Sequence, residues 1–216
     1  MDLPPHPTRT WSVAGIAFDA RIVQLVVFST LLLLGEFYVR GHLFPLEYNR
    51  FLFHFLVPAA IIVILWREDL RVYGLRIGAW RFGLAVVAIA IPIMAVVIWV
   101  VGSTPAFTSY YQELLKDRPV WRIVVDSGFE LFAWEFFCRG WLLGAFGRKY
   151  GTDAVWLQAI PFALMHLFKP PLEALSTVFG GALFGLLAWR TGSFLYGFLI
   201  HWFMVAFILV IAGGGG

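Results

Sequence analysis

Residues 82–101 run for 20 positions without a charged side chain. A helix of about 20 residues is roughly 30 Å long, the thickness of the hydrocarbon core of a bilayer. Inside lipid a segment must satisfy its own backbone N–H and C=O groups, which a helix does and an irregular chain does not. This run is therefore a membrane-crossing helix or a helix buried in a large core. Composition decides between the two. Of 216 residues, 61% are hydrophobic and 13% are charged, and the mean hydropathy is +0.82. A soluble domain carries about 25% charged residues to keep its surface in water. This chain has too few, so the expected fold is all-α: a polytopic transmembrane helix bundle of about seven spans.

The net charge of +3 does not point to nucleic acid. The Lys and Arg residues sit in short connections between apolar runs, where membrane topology needs them. The bilayer is the partner the composition demands. Apolar runs fall at 22–39, 51–66, 82–101, 120–146, 154–168, 172–189 and 194–211. Residues 1–21 are expected to form an N-terminal tail and interfacial segment. They lack the basic, apolar, small-residue order of a cleaved signal peptide. Residues 22–119 hold N-terminal transmembrane helices with an amphipathic connection at 70–81, where Arg71, Arg76 and Arg81 alternate with apolar side chains. The polar connection at 102–119 reads as a surface helix or a lid. Residues 120–212 carry the motif-bearing helices, and 213–216 are a Gly tail.

Counting basic residues on alternate sides gives Arg9, Arg21, Arg67, Arg71, Arg76, Arg81, Arg148, Lys149 and Arg190 against Arg40, Arg50, Lys116, Arg118, Arg122 and Lys169. That bias favours a cytoplasmic N-terminus and suits a cell inner membrane. The single cysteine, Cys138, excludes an intramolecular disulfide and reads as a buried, inert thiol.

Among the ionisable residues inside these apolar runs, four stand out: Glu135, Arg139, His166 and His201. Glu135 and Arg139 are four apart, so on a helix they share one face. Intramembrane ionisable residues usually face a bundle interior or a wet cavity. A structural ion pair accounts for two of them. Two histidines in other spans add chemistry that an ion pair does not need. Glu135 can take a proton from water, His166 can fix the same water, and His201 can donate to the carbonyl oxygen under attack. Arg139 would hold Glu135 ionised. The same Glu and two His are a legitimate zinc set, but helical zinc hydrolases present two His at i and i+4, and no such pair exists here. Zinc is therefore the second choice, and no cofactor is expected. Glu173, behind Lys169-Pro170-Pro171, is a supporting candidate that the next helix can turn into the site. An acidic residue is also simply favoured at a helix N-terminus. Gln158 and Asp126 read as interhelical polar contacts, and Glu130 faces elsewhere.

Phe162-Ala163-Leu164-Met165-His166 matches F-x-x-x-H, and Glu135 to Arg139 matches the second half of E-E-x-x-x-R. His201 falls in a last apolar span, as a third motif does. In this order the set resembles the CPBP family of intramembrane glutamic endopeptidases, the CAAX protease and bacteriocin-processing (ABI) family. The resemblance covers residues 129–207 and implies an all-helical membrane bundle with its site sunk in the bilayer. It implies glutamate and histidine activating water, no obligatory metal, and a membrane-anchored protein or peptide as substrate, cut near its C-terminus. Two positions depart from the pattern. The family's leading glutamate is replaced by Trp134, and the Asn of H-x-x-x-N is replaced by Val205. Two other readings therefore stay open. One is a catalytically inactive relative acting as a membrane scaffold or immunity factor. The other is a proton-coupled transporter, which buried Glu and His also suit but which the lack of repeat symmetry disfavours.

Overall fold

The computed structural model describes residues 9–39, 42, 45–116 and 118–213. Arg40, the first eight residues and positions 214–216 of the Gly tail lie outside them. The fold is an all-helical bundle. Its first element is a small exception: strands β1 (Thr10–Val13) and β2 (Ile16–Asp19) pair antiparallel, Thr10 opposite Asp19 and Val13 opposite Ile16. Ala14 and Gly15 both take positive φ, 53° and 80°, which is the turn that joins tightly twisted strands. Helix α1 (Ala20–Val39) follows at once, its first N–H groups capped by the Asp19 carboxylate.

Helix α2 (Leu46–Leu65) contains two π-helical turns, Leu52–Leu56 and Ile61–Leu65. Helix α3 (Trp80–Gly102) runs through Pro92. Helix α4 (Pro105–Leu115) is short and starts on a proline, whose missing N–H costs nothing at a first turn. Helix α5 spans residues 120–150 as Val120–Glu135, a π-helical stretch Phe136–Leu142 and Leu143–Tyr150. Two short helices, α6 (Ala154–Leu157) and α7 (Ala159–Leu164), precede α8 (Pro171–Thr191) and α9 (Leu195–Gly213).

Five helices, α1, α2, α3, α8 and α9, are long and apolar enough to cross a membrane. With the exposed apolar side chains along α3, such as Ile89, Ile93 and Val96, they make this an integral membrane protein. The expected count of about seven is not reached on those criteria. Residues 120–146 do form one continuous helix, but Arg122, Asp126, Glu130, Glu135 and Arg139 make it too polar to face lipid. Residues 154–168 break at Gln158. Pro161 has no N–H to give the Leu157 carbonyl, so the helical hydrogen-bond run is interrupted at this point.

The polar α5 lies inside, and its central stretch from Ala133 to Ala145 is buried throughout. Trp141 stacks on Trp66 with ring centroids 4.4 Å apart, and its indole N–H donates to Ser29 Oγ at 2.8 Å. Gly140 and Gly144 permit close approach: a Cβ at these positions would stand 2.7 Å from the Tyr73 carbonyl oxygen and 2.8 Å from the Tyr73 ring. At one end of the bundle Glu68 gathers Arg21 (3.0 Å), Arg148 (2.9 Å) and the Tyr73 hydroxyl. Burial, with the Glu68 carboxylate beside it, pushes the Tyr73 hydroxyl pKa up. Towards the other end Arg50 pairs with Glu36 (3.3 Å) and with Glu130. The connection at 70–81 has a 3-10 turn, Leu70–Tyr73, and then no helix until α3 starts at Trp80. It lies at the surface with Ile77 exposed, but Tyr73 turns fully inward.

Candidate active site

Helix α5 delivers Glu135 and Arg139 at the point where α-helix passes into π-helix. Both side chains are fully buried. Arg139 Nη1 donates to Glu135 Oε1 at 3.0 Å. Helix α9 brings His201 to the same oxygen, Nδ1 to Oε1 at 2.8 Å. A carboxylate oxygen accepts, so His201 carries its proton on Nδ1, and Nε2 keeps a lone pair when the ring is neutral. Oε2 of Glu135 has no hydrogen-bond partner among the described residues. It faces Gly197, where a Cβ would stand 3.2 Å from it.

Arg139 is held on three sides. Its plane lies over the Phe162 ring, 4.0 Å from the centroid, with Phe184 at 5.4 Å. Nη2 donates to the Gly181 carbonyl at 3.4 Å. That carbonyl also accepts from Gln158 Nε2 at 2.8 Å, so the residue at the helix break ties α8 to the guanidinium's acceptor. Glycine is needed on α8 for this approach. A Cβ at Gly185 would come within 2.5 Å of Gln158 Nε2, and one at Gly181 within 3.0 Å of Phe162.

His166 follows α7 in a turn. Its Nδ1 lies 2.7 Å from the Phe162 carbonyl oxygen. A carbonyl only accepts, so Nδ1 donates and Nε2 is again the acceptor. The Phe162 ring stands between the imidazoles, 4.7 Å from His166 and 5.6 Å from His201. Both histidines line one cavity of about 300 Å³, with Glu173, Tyr111 and Val205. Its remaining walls are mainly apolar side chains of α3, α4, α8 and α9. A hollow of about 470 Å³ at Ile77, Trp80 and Tyr196 touches none of these residues.

The sequence candidates thus converge, with one change of place. Glu135 does not line the cavity. It stands behind His201, while Glu173 does line it. Tyr111 donates to Glu173 Oε1 and Oε2 at 3.0 and 2.9 Å, and Lys169 Nζ lies 3.1 Å from the Tyr111 hydroxyl and 3.3 Å from Glu173. Sequence reading missed Tyr111 and Lys169 as site residues. They come from connections whose folding back over the bundle leaves no periodic signal. Glu130 points to Arg50, away from the site. Among the described residues no three His, Cys, Asp or Glu side chains converge as metal ligands would.

Residues 116–207 match the family model described as type II CAAX prenyl endopeptidase Rce1-like. Over that segment, less than half of its length, the chain is similar to the CAAX protease family. The matched residues begin just before α5, end within α9 and include Glu135, Arg139, His166, Glu173 and His201. No curated protein and no solved structure matches the chain. At the two positions where the chain departs from the family's motifs, the side chains are packed rather than polar. Trp134 stacks on His54 with centroids 4.1 Å apart. Val205 is part of the cavity wall.

Proposed function

We propose that this protein is an intramembrane endopeptidase of the CAAX-processing kind. It hydrolyses a peptide bond near the membrane-anchored C-terminus of a protein or peptide substrate, using water activated by histidine and glutamate without a metal. The observation that carries this reading is the buried line Arg139–Glu135–His201, which ends at a cavity that His166 also lines.

Each part of that line has a role. Glu135 fixes the tautomer of His201 and compensates the charge the ring gains on taking a proton. Arg139 donates to the same Glu135 oxygen and holds that carboxylate in place. His201 Nε2 removes a proton from water as the water oxygen attacks the carbonyl carbon. The carbonyl pair moves to oxygen. On collapse the C–N bond breaks, and the imidazolium gives its proton to the leaving amine. His166 Nε2 accepts a hydrogen bond from the same water and so orients it. The apolar walls exclude bulk water, which strengthens these interactions. The N-terminus lies in the cytoplasm and the host membrane is a cell inner membrane, following the basic-residue bias.

The test uses protein reconstituted in vesicles with a peptide whose C-terminal cysteine is prenylated. Glu135→Gln, His166→Ala and His201→Ala should each lower hydrolysis at least about 100-fold, within the range that general acid–base groups supply. If all three variants cleave as the parent does, the protein is not this enzyme. If the parent is inert although folded, the scaffold reading suggested by Trp134 and Val205 takes its place.

A further inference from the structure

Attack by water on a peptide carbonyl places negative charge on its oxygen, and a donor aimed at that oxygen is usually the largest single contribution to catalysis. The polar side chains of the cavity wall are His166, His201, Glu173, Ser176, Thr177 and Tyr111. Most have no proton to offer. Both imidazoles spend their Nδ1–H, His166 on the Phe162 carbonyl and His201 on Glu135. Ser176 donates to the Glu173 carbonyl at 2.7 Å and Thr177 to the Ala174 carbonyl at 2.6 Å, each within its own helix. Glu173 only accepts.

Tyr111 is different. Its hydroxyl donates to a side chain, the Glu173 carboxylate, and not to backbone. It also accepts from Lys169 Nζ at 3.1 Å. A hydroxyl that accepts from an ammonium is a stronger donor in turn, because the two hydrogen bonds polarise one another. The ammonium lies 4.8 Å from the Tyr111 ring centroid and 5.0 Å from that of Tyr110, so it is fixed by aromatic faces as well as by Glu173. The residue is itself only 3% exposed, which gives the hydroxyl a dry and rigid seat.

We propose that Tyr111 is a catalytic residue of this site: its hydroxyl turns from Glu173 to the substrate carbonyl and donates to the oxyanion as water adds. Lys169 and Glu173 are positioning residues. Lys169 stays on the hydroxyl through the step and Glu173 parks it between turnovers. The proton remains on Tyr111, so the balance of the hydrolysis is unchanged. This assignment rests on the endopeptidase reading.

The test compares Tyr111→Phe and Glu173→Ala in the full chain reconstituted in vesicles. It measures kcat, KM and the affinity for a phosphinate peptide that mimics the tetrahedral intermediate. Tyr111→Phe should lower kcat about 100-fold or more, as loss of one oxyanion donor does. It should weaken phosphinate binding by a similar factor and leave KM nearly unchanged. Glu173→Ala should cost less than about tenfold in kcat, since the donor survives its parking partner. If Tyr111→Phe keeps kcat and phosphinate affinity near the parent's, the assignment is wrong. If Glu173→Ala costs as much as Tyr111→Phe, the pair is a latch between α4 and α8 and the assignment is again wrong. Turnover that survives Glu135→Gln, His166→Ala and His201→Ala alike, or a parent without turnover, removes the endopeptidase reading and this proposal with it.

Discussion

Glu135 and Arg139 are a buried pair with a third member, His201, on the same carboxylate oxygen. Removing one charge of a buried pair leaves the other uncompensated, at about 3–5 kcal/mol, whereas replacing both with apolar side chains of similar size is often neutral. Stability and catalysis should therefore separate here. Arg139→Met alone should lower the unfolding temperature in detergent sharply. Arg139→Met with Glu135→Leu should recover most of that loss and still not hydrolyse, because His201 no longer has a carboxylate behind it. A double variant as unstable as the single would mean that the pair is not the dominant charge balance of α5. The spacing of Glu135 and Arg139, and the apolar runs around His166 and His201, made this group legible from residues alone. What the sequence could not tell was which member faces the void. A helix pattern gives relative angles along one helix, and the direction of the cavity depends on helices far away in the chain. Hence Glu135 was expected beside the water, and it stands one side chain behind. Tyr111 and Lys169 were invisible for the same reason: their partner, Glu173, is 62 and 4 residues away, and only the fold brings all three together.

At the level of elements, glycine decides how closely helices approach. The Gly181 and Gly185 spacing was readable as a close-packing stripe, and α8 does lean on α6 and α7 there. Gly83 was not readable, being one small residue in a long apolar run. Yet a Cβ at Gly83 would stand 2.5 Å from the Tyr196 ring, at the start of the extensive contact between α3 and α9. Tyr196 has little room to give, since its hydroxyl donates to the Ile77 carbonyl at 2.7 Å. Gly83→Val should therefore cost about 1–3 kcal/mol, as overpacking does. Thermal unfolding of the purified protein checks it, and a variant as stable as the parent would show that α3 can shift freely in its lipid-facing position. The hairpin at 10–19 escaped reading because its turn begins with Ala14, a residue that seldom takes positive φ. The break at Gln158 was signalled by Pro161, but a run of apolar residues on both sides reads as one span when only composition is counted.

Across the whole molecule the charged side chains sort to two ends. Arg21, Glu68, Arg148 and Lys149 meet at one, where Lys149 also reaches Asp19 at 3.1 Å. Arg76 joins the same end, donating to the Gly192 carbonyl after α8. The cavity lies towards the other end, where Phe107 and Tyr111 of α4 and Leu172 and Glu173 of the first turn of α8 line it. Cytoplasmic loops of membrane proteins carry the excess of Lys and Arg, and Arg9, Arg67, Arg71, Arg81 and Arg190 add to the basic residues of the first end. The cavity is therefore expected nearer the side of the membrane away from the N-terminus. Cysteine labelling tests this with little interference, because the chain's one thiol, Cys138, is buried. Lys116→Cys and Lys149→Cys, both at exposed or half-exposed positions, should react with a membrane-impermeant maleimide from opposite sides. In intact cells only Lys116→Cys should be modified, and Lys149→Cys only after the membrane is opened. The reverse pattern would turn the bundle over and put the cavity end on the cytoplasmic side. Labelling of both in intact cells would mean that residues 116 and 149 are not separated by the bilayer, and that α5 does not run from one face to the other.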